Sequence, residues 1–241
     1  MRVWLFQTVF LWVQFCVALP SADVLLEKAE AIRNPQIDYK VFVTLVDTKK
    51  GRKENRTYLT SIKGRSKALV DFLTPEVERG TKVLMIDDQM WVQMPATEKP
   101  LRISAKQRLL GNAAYGDITR LNFTGNYHAK IKGREQYKER KVIVLELAAI
   151  SGKPVTYDRV DYWIDEVTFE PVKALYMTEA GKVLREGYFE DFSLSFGLKR
   201  PNKLVLVDYL EPQHITELIF SKFKKANLPE LLFEKQNFGR N

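Results

Sequence analysis

The side chains able to act as acids, bases, nucleophiles or metal ligands are few, and their spacing is poor. His128 and His214 lie far apart. There is no paired-histidine zinc spacing, no dense Asp/Gly calcium loop, no Gly-x-Ser-x-Gly elbow and no phosphate-binding glycine loop. Asp87-Asp88 is a carboxylate pair that invites glycoside chemistry. It falls between two apolar runs, where Asp-Asp is ordinary turn chemistry, and neighbours on a strand point to opposite faces. Asp158, Asp161 and Asp165 surround Arg159 and Trp163, the composition of a solvated strand edge. The only cysteine is Cys16, inside an apolar leader, so the rest of the chain has no thiol nucleophile, disulfide or cysteine zinc site. These absences point away from an enzyme, a metal and a cofactor.

What stands out instead is bulky, adaptable apolar side chains. Val83–Ile86 runs into the Asp87-Asp88 turn, then Met90–Met94 follows with Trp91 and stops at Pro95. Met85, Met90 and Met94, with Tyr176-Met177 later, are the unbranched thioethers that adapt to varied apolar partners. Several runs are apolar on both faces: Val83 to Ile86, Val142 to Leu145 and Leu204 to Val207. A half-buried strand alternates, so these strands need cover on both sides or an apolar cavity on one.

The elements that hold these residues are mostly strands. Asp23–Arg33 reads as a helix with Val24, Leu25, Ala29 and Ile32 on one face, stopped at Asn34-Pro35. Strands are expected at Ile37–Val46, Arg56–Lys63, Ser66–Leu73, Lys82–Ile86, Met90–Gln93, Tyr127–Lys132, Lys141–Ala148 and Val160–Ile164. Pro171–Thr178, Lys182–Phe192, Lys203–Leu210 and His214–Lys222 continue the series. Ser104–Leu110 reads as a short basic-apolar helix, with Gly111–Ala114 as a flexible base, and Pro229–Phe233 as a helical stub. The expected fold is mainly β (α+β). It is a curved antiparallel half-barrel of about eleven strands, with short helices covering the open, concave side.

Met1-Arg2 followed by an apolar run to Leu19 and small residues is the pattern of a cleaved export signal. Residues 1–22 are assigned to it and residues 23–241 to one domain, since no linker or repeat divides them. A cysteine-free exported chain of this length suits a bacterial periplasm. The formal net charge is +8, to which Arg2 contributes one. The basic runs Lys49–Lys53, Lys130–Lys141 and Lys222–Lys225 fall mainly in turns rather than on one element with aromatics interleaved among arginines, which with the export signal argues against nucleic acid.

Gly80-Thr81-Lys82-Val83-Leu84, Met90-Trp91-Val92, Met94-Pro95-Ala96-Thr97, Arg102-Ile103-Ser104, Leu109-x-Gly111 and Gly116-Asp117 resemble the outer-membrane lipoprotein-sorting family related to LolA. So do Tyr162-Trp163-Ile164-Asp165, Pro171, Tyr176, Gly181-Lys182 and the closing Leu228–Phe233. The resemblance implies a non-enzymatic periplasmic lipid-binding chaperone that carries lipoprotein acyl chains, or free lipid, toward the outer membrane. It implies an inner-membrane transporter as donor, an outer-membrane acceptor and a monomeric state. A sensor or adaptor module that binds a membrane protein, or serves a lipid exporter, is the alternative. The candidate acyl-chain contacts are Phe72, Leu84, Ile86, Trp91, Met94, Leu109, Leu110, Tyr115 and Tyr176. The family's Arg-Pro-x-x-Phe stretch, whose arginine latches a lid, is absent. The comparable region reads Lys63-Gly64-Arg65-Ser66-Lys67-Ala68, so no latch residue is carried over.

Overall fold

The computed structural model describes residues 20–97, 99–119 and 122–238. The expected export signal, with Cys16, lies outside them except for its last three residues. Of those, Ser21 caps the first helix, α1 (Ala22–Arg33), accepting from the Val24 N–H at 3.4 Å. Asp23 in the first turn and Arg33 in the last complement the helix dipole.

Fifteen strands follow among the described residues. The first eight are β1 (Tyr39–Lys49), β2 (Arg52–Lys63), β3 (Lys67–Thr74), β4 (Lys82–Ile86), β5 (Gln89–Gln93), β6 (Leu101–Ile103), β7 (Arg108–Leu110) and β8 (Ala113–Ala114). A one-turn helix, α2 (Tyr115–Thr119), separates them from β9 (Tyr127–Tyr137), β10 (Arg140–Ala149), β11 (Arg159–Asp165) and β12 (Pro171–Met177). The series closes with β13 (Val183–Ser195), β14 (Leu198–Asp208) and β15 (Ile215–Lys225). The 3-10 turns Glu76–Glu78 and Glu230–Phe233 complete the list.

Thirteen strands form one open antiparallel sheet, ordered β6-β5-β4-β3-β2-β1-β15-β14-β13-β12-β11-β10-β9, and β7 with β8 is a separate small hairpin. Almost every neighbour is the next strand in sequence, as local hairpins dictate. The exception is decisive: the first strand pairs with the last. β1 alternates Tyr39, Val41, Val43 and Leu45 on its buried side, and Leu45 stands opposite Leu218 of β15. This seam joins the two halves of the chain in mid-sheet and leaves β6 and β9 as edges.

The sheet curls around one large apolar cluster. Helix α1 packs against β9, β12 and β14. Flat, β9 and β14 would stand about 24 Å apart at ~4.8 Å per strand, beyond a twelve-residue helix of about 18 Å. Leu25, Leu26 and Ala29 are its buried contacts, each leucine contributing on the order of 1.5–3 kcal/mol.

Three expectations need correction. The strand count exceeds eleven because β6, β7 and β8 are two or three residues long, too short to show a period. Ser104–Leu110 is not helical but a turn leading into β7. The helical spacing of its apolar residues gave way to pairing with β8. Arg159–Asp165 is an interior strand between β10 and β12, not a solvated edge. Asp161 is 5% exposed and pairs with Lys132 at 2.5 Å.

Candidate functional site

The inner face carries a cavity of about 660 Å³, mouth included, at the β1–β15 seam. Its walls are Val41 and Val43 of β1, Phe189 of β13, Leu204 of β14, and Phe220 and Phe223 of β15. Tyr39 stands at one end, and Ile118 of α2 closes the inside. Period-two alternation explains β1, but Phe220 and Phe223 are an odd number apart. A bulge solves this: the register jumps between Lys40↔Lys224 and Phe42↔Ser221, and Lys222 takes φ 53°, so both rings reach the same face.

The polar groups around the cavity are mostly engaged in holding α1. Arg200 of β14 donates to the Ala31 carbonyl at 3.0 Å and to the Ile32 carbonyl, satisfying the last turn of the helix. Glu30, 3% exposed, accepts from the Phe123 and Thr124 N–H groups at 2.6 and 3.2 Å and from Asn34 at 2.5 Å. It also pairs with Arg33 at 2.9 Å, whose guanidinium lies 4.3 Å from the Phe123 ring centroid.

Asp117 of α2 lines the cavity and accepts from the Ala114 N–H at 2.8 Å and the Tyr157 hydroxyl at 3.0 Å. Burial raises its pKa, against the pull of Arg185 and of these hydrogen bonds. Burial likewise raises the Tyr157, Tyr162 and Tyr176 phenols, which stay protonated.

The segment after β6 is docked, not loose. Asn112, 2% exposed, donates its side chain to the His214 carbonyl at 2.9 Å and its N–H to Thr216 at 2.8 Å. Asp47 accepts from Thr216 at 2.6 Å and meets His214 Nε2 at 3.1 Å. Gly111 has φ 54°, and a Cβ there would stand 1.8 Å from Asp47 Oδ1. The expectation that Gly111–Ala114 forms a flexible base is therefore overturned: this glycine permits close approach. Thr216 donates to the carboxylate rather than to the imidazole, so the cluster has no hydroxyl activated by histidine. Among the described residues no group of three His, Cys, Asp or Glu is placed to hold a metal.

The nine candidate contacts separate into three places. Phe72, Met94, Leu109 and Tyr115 come together around a second, more open groove of about 880 Å³. Arg56 bridges its side, donating to the Leu109 carbonyl at 3.1 Å and pairing with Glu78 at 3.0 Å. Leu110 and Tyr176 are in the main cluster, Tyr176 with its ring 4.2 Å from Tyr157.

Leu84, Ile86 and Trp91 face the other side of the sheet. There Leu84 and Trp91 pack under Leu228, Phe233 and Phe238 of the C-terminal segment, with Ile86 at the margin. They are corrected from cavity wall to outer packing, because alternate residues of β4 and β5 point to opposite faces. The seam residues Tyr39, Val41, Val43, Phe220 and Phe223 were missed. The alternation in β1 was visible, but its pairing with β15 was not.

An open antiparallel sheet curled around an apolar interior defines a class of β-rich folds. A LolA superfamily protein from Nitrosomonas europaea shares this structure with a TM-score of 0.85 and 33% identity, over 91% of this chain and 100% of that one. The chain belongs to the LolA superfamily. A family model described as "Uncharacterized protein" matches residues 64–240. Two more distant structures share the fold. A DUF1329 family protein from Desulfovibrio piger has a TM-score of 0.78 and 21% identity over 88% of this chain and 95% of its own. A domain from Vibrio parahaemolyticus, provisionally assigned as outer membrane lipoprotein-sorting, has 0.78 and 19% over 91% and 98%. No curated protein matches the chain. Among the described residues no helix is long and apolar enough to cross a membrane.

Proposed function

We propose that this protein is a non-enzymatic periplasmic carrier that shields acyl chains of lipoproteins or free lipids on their way to the outer membrane. The observation that carries the reading is the seam cavity, walled by Val41, Val43, Phe189, Leu204, Phe220 and Phe223. Membership of the LolA superfamily supports it. Each buried CH₂ contributes ~0.8 kcal/mol, so a single long chain supplies ample affinity.

In this reading α1 and α2 cover the concave side, and cargo enters when they shift. Their polar ties are Glu30 to residues 123–124 and Arg200 to the end of α1, beside the burial of Leu25, Leu26 and Ala29. Opening the cover exposes those leucines at about 1.5–3 kcal/mol each, which burial of the entering chain must offset. An inner-membrane transporter as donor and an outer-membrane acceptor complete the route.

The test is direct. Delipidated protein is titrated with dansyl-labelled undecanoic acid, and lipid extracted from protein purified from its native envelope is identified by mass spectrometry. Saturable binding at about one site, with co-purifying diacyl lipid or lipoprotein, is expected. Absence of both, with a stoichiometric protein partner in their place, would sink the carrier reading in favour of an adaptor.

A further inference from the structure

The sheet is split where the cavity lies. β14 and β15 pair only from Lys203↔Ile219 to Val207↔Ile215. β14 nevertheless begins at Leu198, and there it pairs with β13 alone, from Ser195↔Leu198 to Phe192↔Pro201. β15 runs on to Lys225 with β1 as its partner. The two strands therefore diverge beyond Lys203↔Ile219.

Both flanks carry features that fit divergence. The β1–β15 ladder has a bulge at this level, with Lys222 at φ 53°, and the β13–β14 ladder keeps its register but skips one pair at Asp191 (φ 54°). Bulges bend and twist strands away from regular pairing. Pro201, which has no N–H to give, sits on the diverging stretch, where a ladder bond is not required. The cavity is lined from both flanks, by Pro201 and Leu204 on one and Phe220 and Phe223 on the other.

One side chain bridges the split from the β13–β14 turn to β1 and β15. Phe196, half-buried, packs against Tyr39 and Phe223 with ring centroids 5.6 and 6.2 Å apart. Phe196 (φ 53°) and Gly197 (φ 80°) form the two-residue turn that closes the β13–β14 hairpin. Beside this turn, Leu194 and Leu198 are 77% and 42% exposed. Arg200, at the base of the tip, donates to the Ser195 carbonyl as well as to the end of α1. Displacing the tip would therefore loosen the helix over the same cavity.

We infer that the split between β14 and β15 is a lateral portal, gated by Phe196, through which one acyl chain enters the seam cavity. This rests on the carrier reading above. An acyl chain is the occupant favoured by the apolar side chains Val41, Val43, Leu204, Phe220 and Phe223 that line the cavity. Lys203 on the rim is already paired with Glu190 at 3.0 Å and Asp191 at 3.4 Å, so the selection is for the chain rather than for a charged head group.

The test uses a Cys16→Ser background, which removes the only native cysteine. Leu198→Cys and Lys224→Cys, at exposed positions on opposite flanks, are stapled with a short bismaleimide. A second variant, Phe196→Ala, removes the bridging ring. Stopped-flow mixing with dansyl-labelled undecanoic acid should show association slowed about tenfold or more by the staple and quickened a few-fold by Phe196→Ala, as expected for a gate. The unstapled double-cysteine protein should match wild type. If wild type binds the probe but neither change alters the rate, the portal is wrong and the carrier reading stands. If wild type does not bind the probe, both fall.

Discussion

The two faces of β4 and β5 look alike in sequence and do different work. Val83, Met85, Met90 and Val92 join the large inner cluster. Leu84 and Trp91, between them, pack under the C-terminal segment, which is fastened by Lys63 to the Leu228 carbonyl at 2.7 Å and by a Lys67–Glu230 ion pair. Lys235 adds a cation over Trp91 at 5.1 Å. A strand apolar on both faces therefore need not border a cavity: its second face is covered by its own chain. The outer face is covered by the chain's own tail, and the seam, with its bulge and polar ties, is where the proposed guest would sit.

This contrast can be broken most forcefully on the outer face. Phe233→Ala, at a 2% exposed position, should cost about 3–5 kcal/mol in urea unfolding while leaving acyl-probe affinity at the wild-type value. A matching loss of affinity would show that the outer cluster belongs to the ligand site after all.

Asn112→Ala should cost about 1.5 kcal/mol, because the His214 carbonyl loses one of its two donors and keeps the Asp208 N–H at 3.1 Å. Hydrogen exchange should quicken across residues 107–119 and spare residues 228–238. Uniform quickening would mean that the docked segment is not an independent cover.

Phe223→Asp, at the half-buried seam, should weaken the probe about tenfold, or ~1.4 kcal/mol, with a smaller effect on unfolding than Phe233→Ala. Unchanged affinity would move the ligand elsewhere, with the groove beside Phe72 and Tyr115 the next place to look.

The subtlest effect concerns Asp117. Burial raises its pKa above the usual 3.8, so its protonated form favours the fold and its ionised form is penalised. Its favourable contribution is complete below that value and is lost as pH rises through the folded-state pKa. Asp117→Asn cannot ionise, so its urea midpoint should gain on wild type as pH is raised from about 4 to 7. Parallel midpoints at every pH would show that Asp117 is not held in a low-dielectric site.

Much of the architecture was legible in local patterns. Lys82–Ile86 and Pro171 onward appear as strands, Asp23–Arg33 as a helix and Leu228–Phe233 as a closing turn, since each is set by neighbours a few residues away. The candidate site was less legible. Phe72, Met94, Leu109 and Tyr115 do meet at one groove, but Leu84, Ile86 and Trp91 do not join them, because nothing local says which face of a two-faced strand its own tail will cover. Ser104–Leu110 has apolar residues at helical spacing, yet its few residues are better satisfied by pairing with β8 and by Arg56 on the Leu109 carbonyl.

By itself the sequence determined a strand-rich chain, short on catalytic groups and rich in adaptable apolar ones, together with the residues that tie it to its superfamily. These follow from composition and short-range period, which need no partner. Only the tertiary structure decided that β1 meets β15, that Asn112 and Gly111 seat on Asp47 and Thr216, and that β14 and β15 part beside Phe223. Those contacts join residues more than sixty positions apart along the chain for the first two, and their choice rests on which buried faces and hydrogen-bonding groups can be satisfied together when the whole sheet closes around its core.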